Sequence, residues 1–123
     1  MVHLDTNFLI DALVQGTPQE AQLVGWLATG EPIGMSSLAW GEFLCGPLSS
    51  SAEAMARRLF TQTISLDRLD AEKAASLYNL TGRRAKSFPD CCIAAVAIRA
   101  HAQLATSNRR DFTQMVTHGL LLA

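Results

Sequence analysis

Four acidic residues stand where a chain of short strands and helices would place chemistry. Asp5 ends the apolar run Val2 to Leu4, and Glu42 follows the run Pro32 to Met35 by less than two helical turns. Asp90 opens an apolar helix, and Asp111 lies just past a strand candidate ending at Thr106. In open parallel sheets, ligands bind beyond the carboxyl ends of the strands, so this arrangement predicts all four acids on one sheet edge. Bare carboxylates ~4 Å apart repel by ~4 kcal/mol per pair at an effective dielectric of 20. Such a cluster therefore needs a cation or bound protons. Hard oxygen donors without a Cys/His ligand pattern point to Mg²⁺ or Mn²⁺.

Each acid also has a plainer reading. Asp5 caps a helix that follows it, Asp90 complements the dipole of its own helix, and Asn108 with Asp111 has the spacing of a capping box. Glu42 lies past the capping turn, between apolar neighbours, with a solvent-facing position as its alternative. The conjunction of the four favours a cation site.

The elements that must position these acids follow from apolar periodicity. Strand candidates are Val2 to Leu4, Pro32 to Met35, Thr63 to Leu66, Leu104 to Thr106 and Gly119 to Ala123. Between them, helical spacing covers 7–14, 19–28, 38–45, 52–62, 70–86, 90–102 and 108–115. The stretch 48–51 reads as a loop. In the helix over 19–28, Ala21, Val24 and Leu27 share the face expected to pack inward. The helix from Asp90 has only Arg99 as a further unambiguous charge, so burial on nearly all sides is predicted. Short strands separated by helices require crossover connections. The expected fold class is α/β, a three-layer α/β/α sandwich around a mainly parallel, roughly five-stranded sheet.

Composition bounds what such a fold can be. The chain has 123 residues, 49% of them hydrophobic and 17% charged, which suits one domain over 1–123 with a sizeable core. A net charge of −1 means that a nucleic-acid partner must be held by a local patch. No apolar run reaches membrane-spanning length, and MVHLDTNF is not a secretory leader. Three cysteines without a CxxC pair argue against disulfides and a zinc site, and a cytoplasmic location is expected. The adjacent Cys91 and Cys92 read as inert core thiols.

Read together, the blocks LDTNFLIDAL (4–13), GEFLCG (41–46) and PDCCIAAVAIRAHAQLATSNRRDF (89–112) resemble PIN-domain nucleases, especially the short VapC-like toxins of toxin–antitoxin pairs. The last block is the most specific, and the resemblance spans nearly the whole chain. It implies a PIN-like fold and a metal-dependent endoribonuclease that takes RNA as substrate. Asp5, Glu42, Asp90 and Asp111 would then be the catalytic and metal-binding acids, with Thr6, Thr106 and Asn108 in support. Asn108 and Asp111 compete for the fourth acidic place.

The implied chemistry suits these residues, because phosphodiester hydrolysis needs an activated water and charge for the phosphoryl oxygens, not a Ser, Cys or His nucleophile. His3 reads as a packing residue, and His101 and His118 as surface residues. Arg83, Arg84 and Lys86 precede Asp90, and Arg109 and Arg110 precede Asp111. These cations either offset helix dipoles or grip RNA phosphates beside the acids. The resemblance further implies a cognate antitoxin, and an acidic pocket is a target for an Arg or Lys that such a partner carries. Trp26, Trp40 and Phe43 are candidate anchors for the rest of that partner. A homodimer is expected, with the alanines of the helix from Asp90 (Ala94, Ala95, Ala97, Ala100, Ala102) permitting close approach of a second copy. The alternative is a catalytically silent PIN-like module that binds metal or a partner. Haloacid dehalogenase chemistry is excluded by Asn7, where a second aspartate is required, and P-loop and dinucleotide fingerprints are absent.

Overall fold

A computed structural model describes residues 1–82 and 88–123. Strand β1 (Val2–Leu4) is followed by helices α1 (Thr6–Ala12) and α2 (Pro18–Thr29), then β2 (Ile33–Gly34) and three helices, α3 (Ser37–Cys45), α4 (Ser50–Leu59) and α5 (Arg68–Leu80). Helix α6 (Phe88–Arg99), β3 (Gln103–Ala105), α7 (Arg109–Phe112), a 3₁₀ turn (Thr113–His118) and β4 (Leu121–Leu122) complete the order. The sheet runs β2-β1-β3-β4 with every pairing parallel, and His3 lies between Gly34 and Leu104. This is the α/β class expected from alternating elements, with helices covering a buried parallel sheet.

The sheet has four strands among the described residues, not five. Of the expected strand Thr63 to Leu66, only Ile64 pairs, through a single parallel bridge to Ser36. Its N–H donates to Met35 O and its carbonyl accepts the Ser37 N–H. The next carbonyl, on Ser65, is taken by Arg99 Nη2 at 2.9 Å, and Ser65 and Leu66 are exposed, so the ladder cannot extend.

Helix boundaries follow local chemistry. Thr17 accepts the Glu20 N–H with Pro18 in the first turn, and Gly30 stops α2 at φ +74°. The inward face of α2 differs from expectation. Leu23 is buried and Trp26 packs on Phe8 with ring centroids 5.6 Å apart, whereas Val24 and Leu27 are 58% and 47% exposed and Ala21 is exposed. Both apolar sets satisfy helical spacing, so periodicity alone does not choose between them.

Ser49 caps α4, so 50–51 is helix where a loop was expected. The helix expected over 70–86 is α5, opened by an Asp67–Asp70 capping box and closed at Leu80, where Thr81 Oγ1 donates to Leu77 O at 2.8 Å. The cations Arg83, Arg84 and Lys86 lie outside the described residues.

Helix α6 holds the centre. Cys91 through Ala97 are all buried, as its uniform apolarity predicted, and it packs along α5 and against α3 and β3. The alanines offered for contact with a second copy are therefore occupied within the chain: Ala94, Ala95, Ala97 and Ala102 are core residues and Ala100 is half-buried. Arg99, at the C-terminal end of α6, clamps buried Asp70 through Nε–Oδ1 and Nη2–Oδ2 bonds of 2.8 Å each. Those bonds hold the Asp70 carboxyl below the usual carboxylate range. This pair ties α5 to the helix that carries Asp90 at its other end.

Candidate active site

The carboxyl ends of β1 and β3 meet at one cleft of about 330 Å³. Asp5, Glu42, Asp90 and Asp111 line it together with Thr6, Asn7, Asn108 and Phe112. The four acids, gathered from the end of β1 and from α3, α6 and α7, thus share one concavity, as the strand-end argument expected. Sequence reasoning passed over Asn7 as a lining residue, although its place two residues beyond Asp5 was the available signal.

Asp5 is both a cap and a cleft residue. Its Oδ1 accepts the Thr6 N–H at 2.8 Å at the start of α1, while Oδ2 accepts the Thr106 hydroxyl at 2.9 Å. Burial raises its pKa to about 6 against the opposing pull of these two hydrogen bonds, and the negative charges of Asp90 and Glu42 add to the rise. Glu42 sits on the exposed side of α3, a helix capped by Ser36 at the Ala39 N–H. Thr6 Oγ1 lies 3.2 Å from both Glu42 Oε1 and Ala39 O, which leaves one proton for two acceptors. The Glu42 pKa is raised, first by partial burial, despite the Thr6 bond, with Asp90 contributing like charge.

Asp90 and Asp111 are half-buried. The capping-box reading of Asn108 and Asp111 fails, because the Asn108 side chain makes no cap hydrogen bond at α7. Its N–H instead donates to Thr106 Oγ1 at 3.0 Å, and its carbonyl accepts the Asp111 N–H at 3.0 Å. Both residues therefore reach the cleft. Arg109 and Arg110 are exposed and do not line it, and Arg109 donates to the Ala123 carbonyl.

The donor set is oxygen-rich, and the charges of Asp90 and Glu42 raise the proton affinity of Asp5 as that of Asp90 raises Glu42's, the electrostatic condition that a hard divalent cation relieves. Among the described residues, no three acids converge closely enough to hold an ion as they stand. The cleft is an open ring of acids, not a closed cage.

The remaining ionisable candidates are inert. His3 is buried with its Nε2 unpartnered, pressed so close to Gly34 that a Cβ there would lie 3.0 Å from the ring. Burial first, then the N-terminal charge and Arg99, lowers its pKa to about 4, so it packs as a neutral residue. Burial, the neighbouring Cys92 and Asp90 push the Cys91 thiol up to about 11.

A sequence model of the PIN domain matches residues 2–116. The chain belongs to the PIN domain family. Solved structures similar to this PIN domain include VapBC2 from Rickettsia felis bound to a DNA fragment from their promoter, with a TM-score of 0.77, 19% identity, and coverage of 100% of this chain and 98% of that chain. FitAcB from Neisseria gonorrhoeae gives a TM-score of 0.73 at 20% identity, covering 100% and 97%. A toxin–antitoxin complex from Klebsiella pneumoniae gives 0.71 at 27% identity, covering 91% and 90%. No curated protein matches the sequence significantly. Among the described residues, no helix is long and apolar enough to cross a membrane.

Proposed function

We propose that this PIN domain is a Mg²⁺- or Mn²⁺-dependent endoribonuclease, the cytoplasmic toxin of a toxin–antitoxin pair, acting as one domain over 1–123. The observation that carries this reading is the convergence of Asp5, Glu42, Asp90 and Asp111 on one cleft. When bound, a divalent ion supplies what acids alone lack, activation of water and positive charge for the phosphoryl oxygens. The four carboxylates are its proposed holders.

The chain's own groups prepare that site. Thr106 and the Thr6 N–H fix the two oxygens of Asp5, so its carboxylate cannot turn away from the cleft. Thr6 links Glu42 on α3 to the start of α1, setting the cleft's width. Asn7 and Asn108 offer uncharged donors at its rim, suited to ribose and phosphate oxygens. At neutral pH Asp5 is mostly ionised and can take up a proton near pH 6.

A cognate antitoxin is the proposed partner. An apolar groove of about 290 Å³, lined by Ile10 of α1, by Leu13 and Val14 just beyond that helix, and by Phe43, Pro47 and Leu48, begins next to the cleft, since Phe43 follows Glu42. Of the three aromatic anchors expected, only Phe43 lines it; Trp40 stacks half-buried on Phe43, and Trp26 packs on Phe8. A segment lying in this groove can present an arginine to the acids, where guanidinium pairs bidentately with carboxylates. A homodimer is proposed through a surface other than α6, which light scattering tests by mass.

The test is cleavage of total RNA by the purified chain with Mg²⁺, with EDTA, and after Asp5→Asn, Glu42→Gln or Asp111→Asn. Cuts that require both the ion and each acid support the nuclease. Metal-stabilised protein that never cuts RNA makes this a silent binding module instead.

A further inference from the structure

The turn after β3 is shared by two pockets. Thr106 supports Asp5 and Asn108 lines the acidic cleft, but Ser107, between them, lines a second pocket of about 220 Å³. Phe8, Gln19, Gln22, Thr106 and Arg109 line it as well. The two hollows differ in chemistry. The first is a ring of acids, and the second holds two neutral amides, two hydroxyls, one guanidinium and an aromatic ring.

A hydrogen-bond relay orients one of those amides. Ser107 Oγ lies 2.6 Å from Asp11 Oδ2, and an ionised carboxylate can only accept, so the single serine proton goes to Asp11. Ser107 must then accept from its other neighbour, which fixes the Gln19 amide with Nε2 toward Ser107, at 3.3 Å. Asp11 is itself held, because its carbonyl accepts the Thr17 hydroxyl at 2.7 Å where α1 hands over to α2. Gln19 is thereby pre-set, with its carbonyl oxygen and its second N–H left for a ligand. Gln22, one helical turn on, offers a further amide on the same wall.

We infer that this pocket receives a single unpaired nucleobase of RNA, adjacent to the phosphate held over the acids, and that Gln19 and Gln22 read it. The inference rests on the reading of the acidic cleft as an RNA site. Side-chain amides pair with the neighbouring donor and acceptor on a base edge. Phe8, buried with its ring packed on Trp26, closes the floor of the pocket with an apolar edge, and exposed Arg109, which donates to the Ala123 carbonyl, keeps a positive charge beside it for a flanking phosphate. A protein side chain fits less well, since the apolar groove on the other side of α1 is the hollow with hydrophobic walls. Asp11 and Ser107 act as positioning residues that set Gln19.

The experiment titrates the full ¹⁵N-labelled chain with hexamers of A, C, G or U, using calcium in place of magnesium to retain an ion's charge while slowing cleavage. The expected result is movement of the Gln19 and Gln22 side-chain amide resonances, with affinities that differ about tenfold or more between the best and worst hexamers. Gln19→Ala and Gln22→Ala should each reduce that spread to about threefold or less. Asp11→Asn should loosen the Gln19 amide and reduce the spread in the same direction. Shifts confined to Asn7 and Asn108, or an undiminished spread in both glutamine variants, overturn the inference. So does movement of the glutamines only with an antitoxin peptide, which would make the pocket a protein site. If no hexamer binds while total RNA is still cut with Mg²⁺, only the inference falls. If the glutamines move but total RNA is never cut with Mg²⁺, only the nuclease reading falls.

Discussion

Thr106 Oγ1 donates its hydrogen to Asp5 Oδ2 at 2.9 Å across 101 residues of sequence, and Thr106 Oγ1 itself accepts the Asn108 N–H at 3.0 Å. One buried hydroxyl thus joins the end of β1 to the turn after β3, the two strands that pair at the centre of the sheet. Thr106→Val keeps the shape and removes both bonds, leaving the half-buried Asn108 N–H and a carboxylate oxygen of Asp5 short of a partner. A loss of about 1–3 kcal/mol in denaturant unfolding is expected. RNA cleavage should fall about 10- to 100-fold, because the acid is no longer held in place. Thr106→Ser should restore most of the rate, and a Val variant that cuts at full speed would remove Thr106 from the positioning of Asp5.

How legible this was in the sequence depends on the kind of contact. The convergence of the four acids followed from strand ends and parallel topology, both encoded in local patterns around Asp5, Glu42, Asp90 and Asp111. The burial of α6 was equally readable, because seven consecutive apolar residues leave no polar face. The inward face of α2 was not, since Leu23 and Val24 are equally apolar and only the position of Phe8 selects between them. The clamp of Arg99 on Asp70, and the relay from Asp11 through Ser107 to Gln19, join residues far apart in sequence. No period or motif announces such pairs. Where the fifth strand was expected, the Ser65 carbonyl likewise meets that distant Arg99 in place of a sheet partner.

Asp90 raises the proton affinity of both Asp5 and Glu42 through its charge. Asp90→Asn keeps the side-chain shape and removes that repulsion. Cleavage should be abolished, while the melting temperature in EDTA stays level or rises. Both are checked on one preparation, by an RNA assay and a thermal scan. An unfolded variant, or one with full magnesium-dependent cleavage, counts against the assignment of Asp90.

Magnesium or manganese should raise the melting temperature of the wild type with concentration, since an ion held only by the folded cleft stabilises it by mass action, about 2.7 kcal/mol at 100 times Kd. EDTA should reverse the rise. Asp5→Asn and Asp111→Asn should each blunt it, and calorimetry with no metal binding at millimolar ion would remove the cation from the cleft.

The pH dependence of stability offers a separate view of Asp5. Its folded pKa of about 6 exceeds the ordinary 3.8, so between those values the folded chain binds more protons than the unfolded one. Stability from this group therefore falls as pH rises through the window and grows on acidification. His3 opposes it from the same strand, because a folded pKa of about 4 against 6.5 lets the unfolded chain take up the proton first, and acidification then destabilises. The two slopes have opposite sign and overlap between about pH 4 and 6, so the wild-type profile in EDTA should be shallow there. Asp5→Asn removes one slope and leaves the other. From pH 7 to 4.5 the variant should lose about 2 kcal/mol relative to the wild type, read as the difference between paired urea titrations. Parallel profiles would show that Asp5 titrates at its ordinary value and that the cleft does not hold its charge out of water.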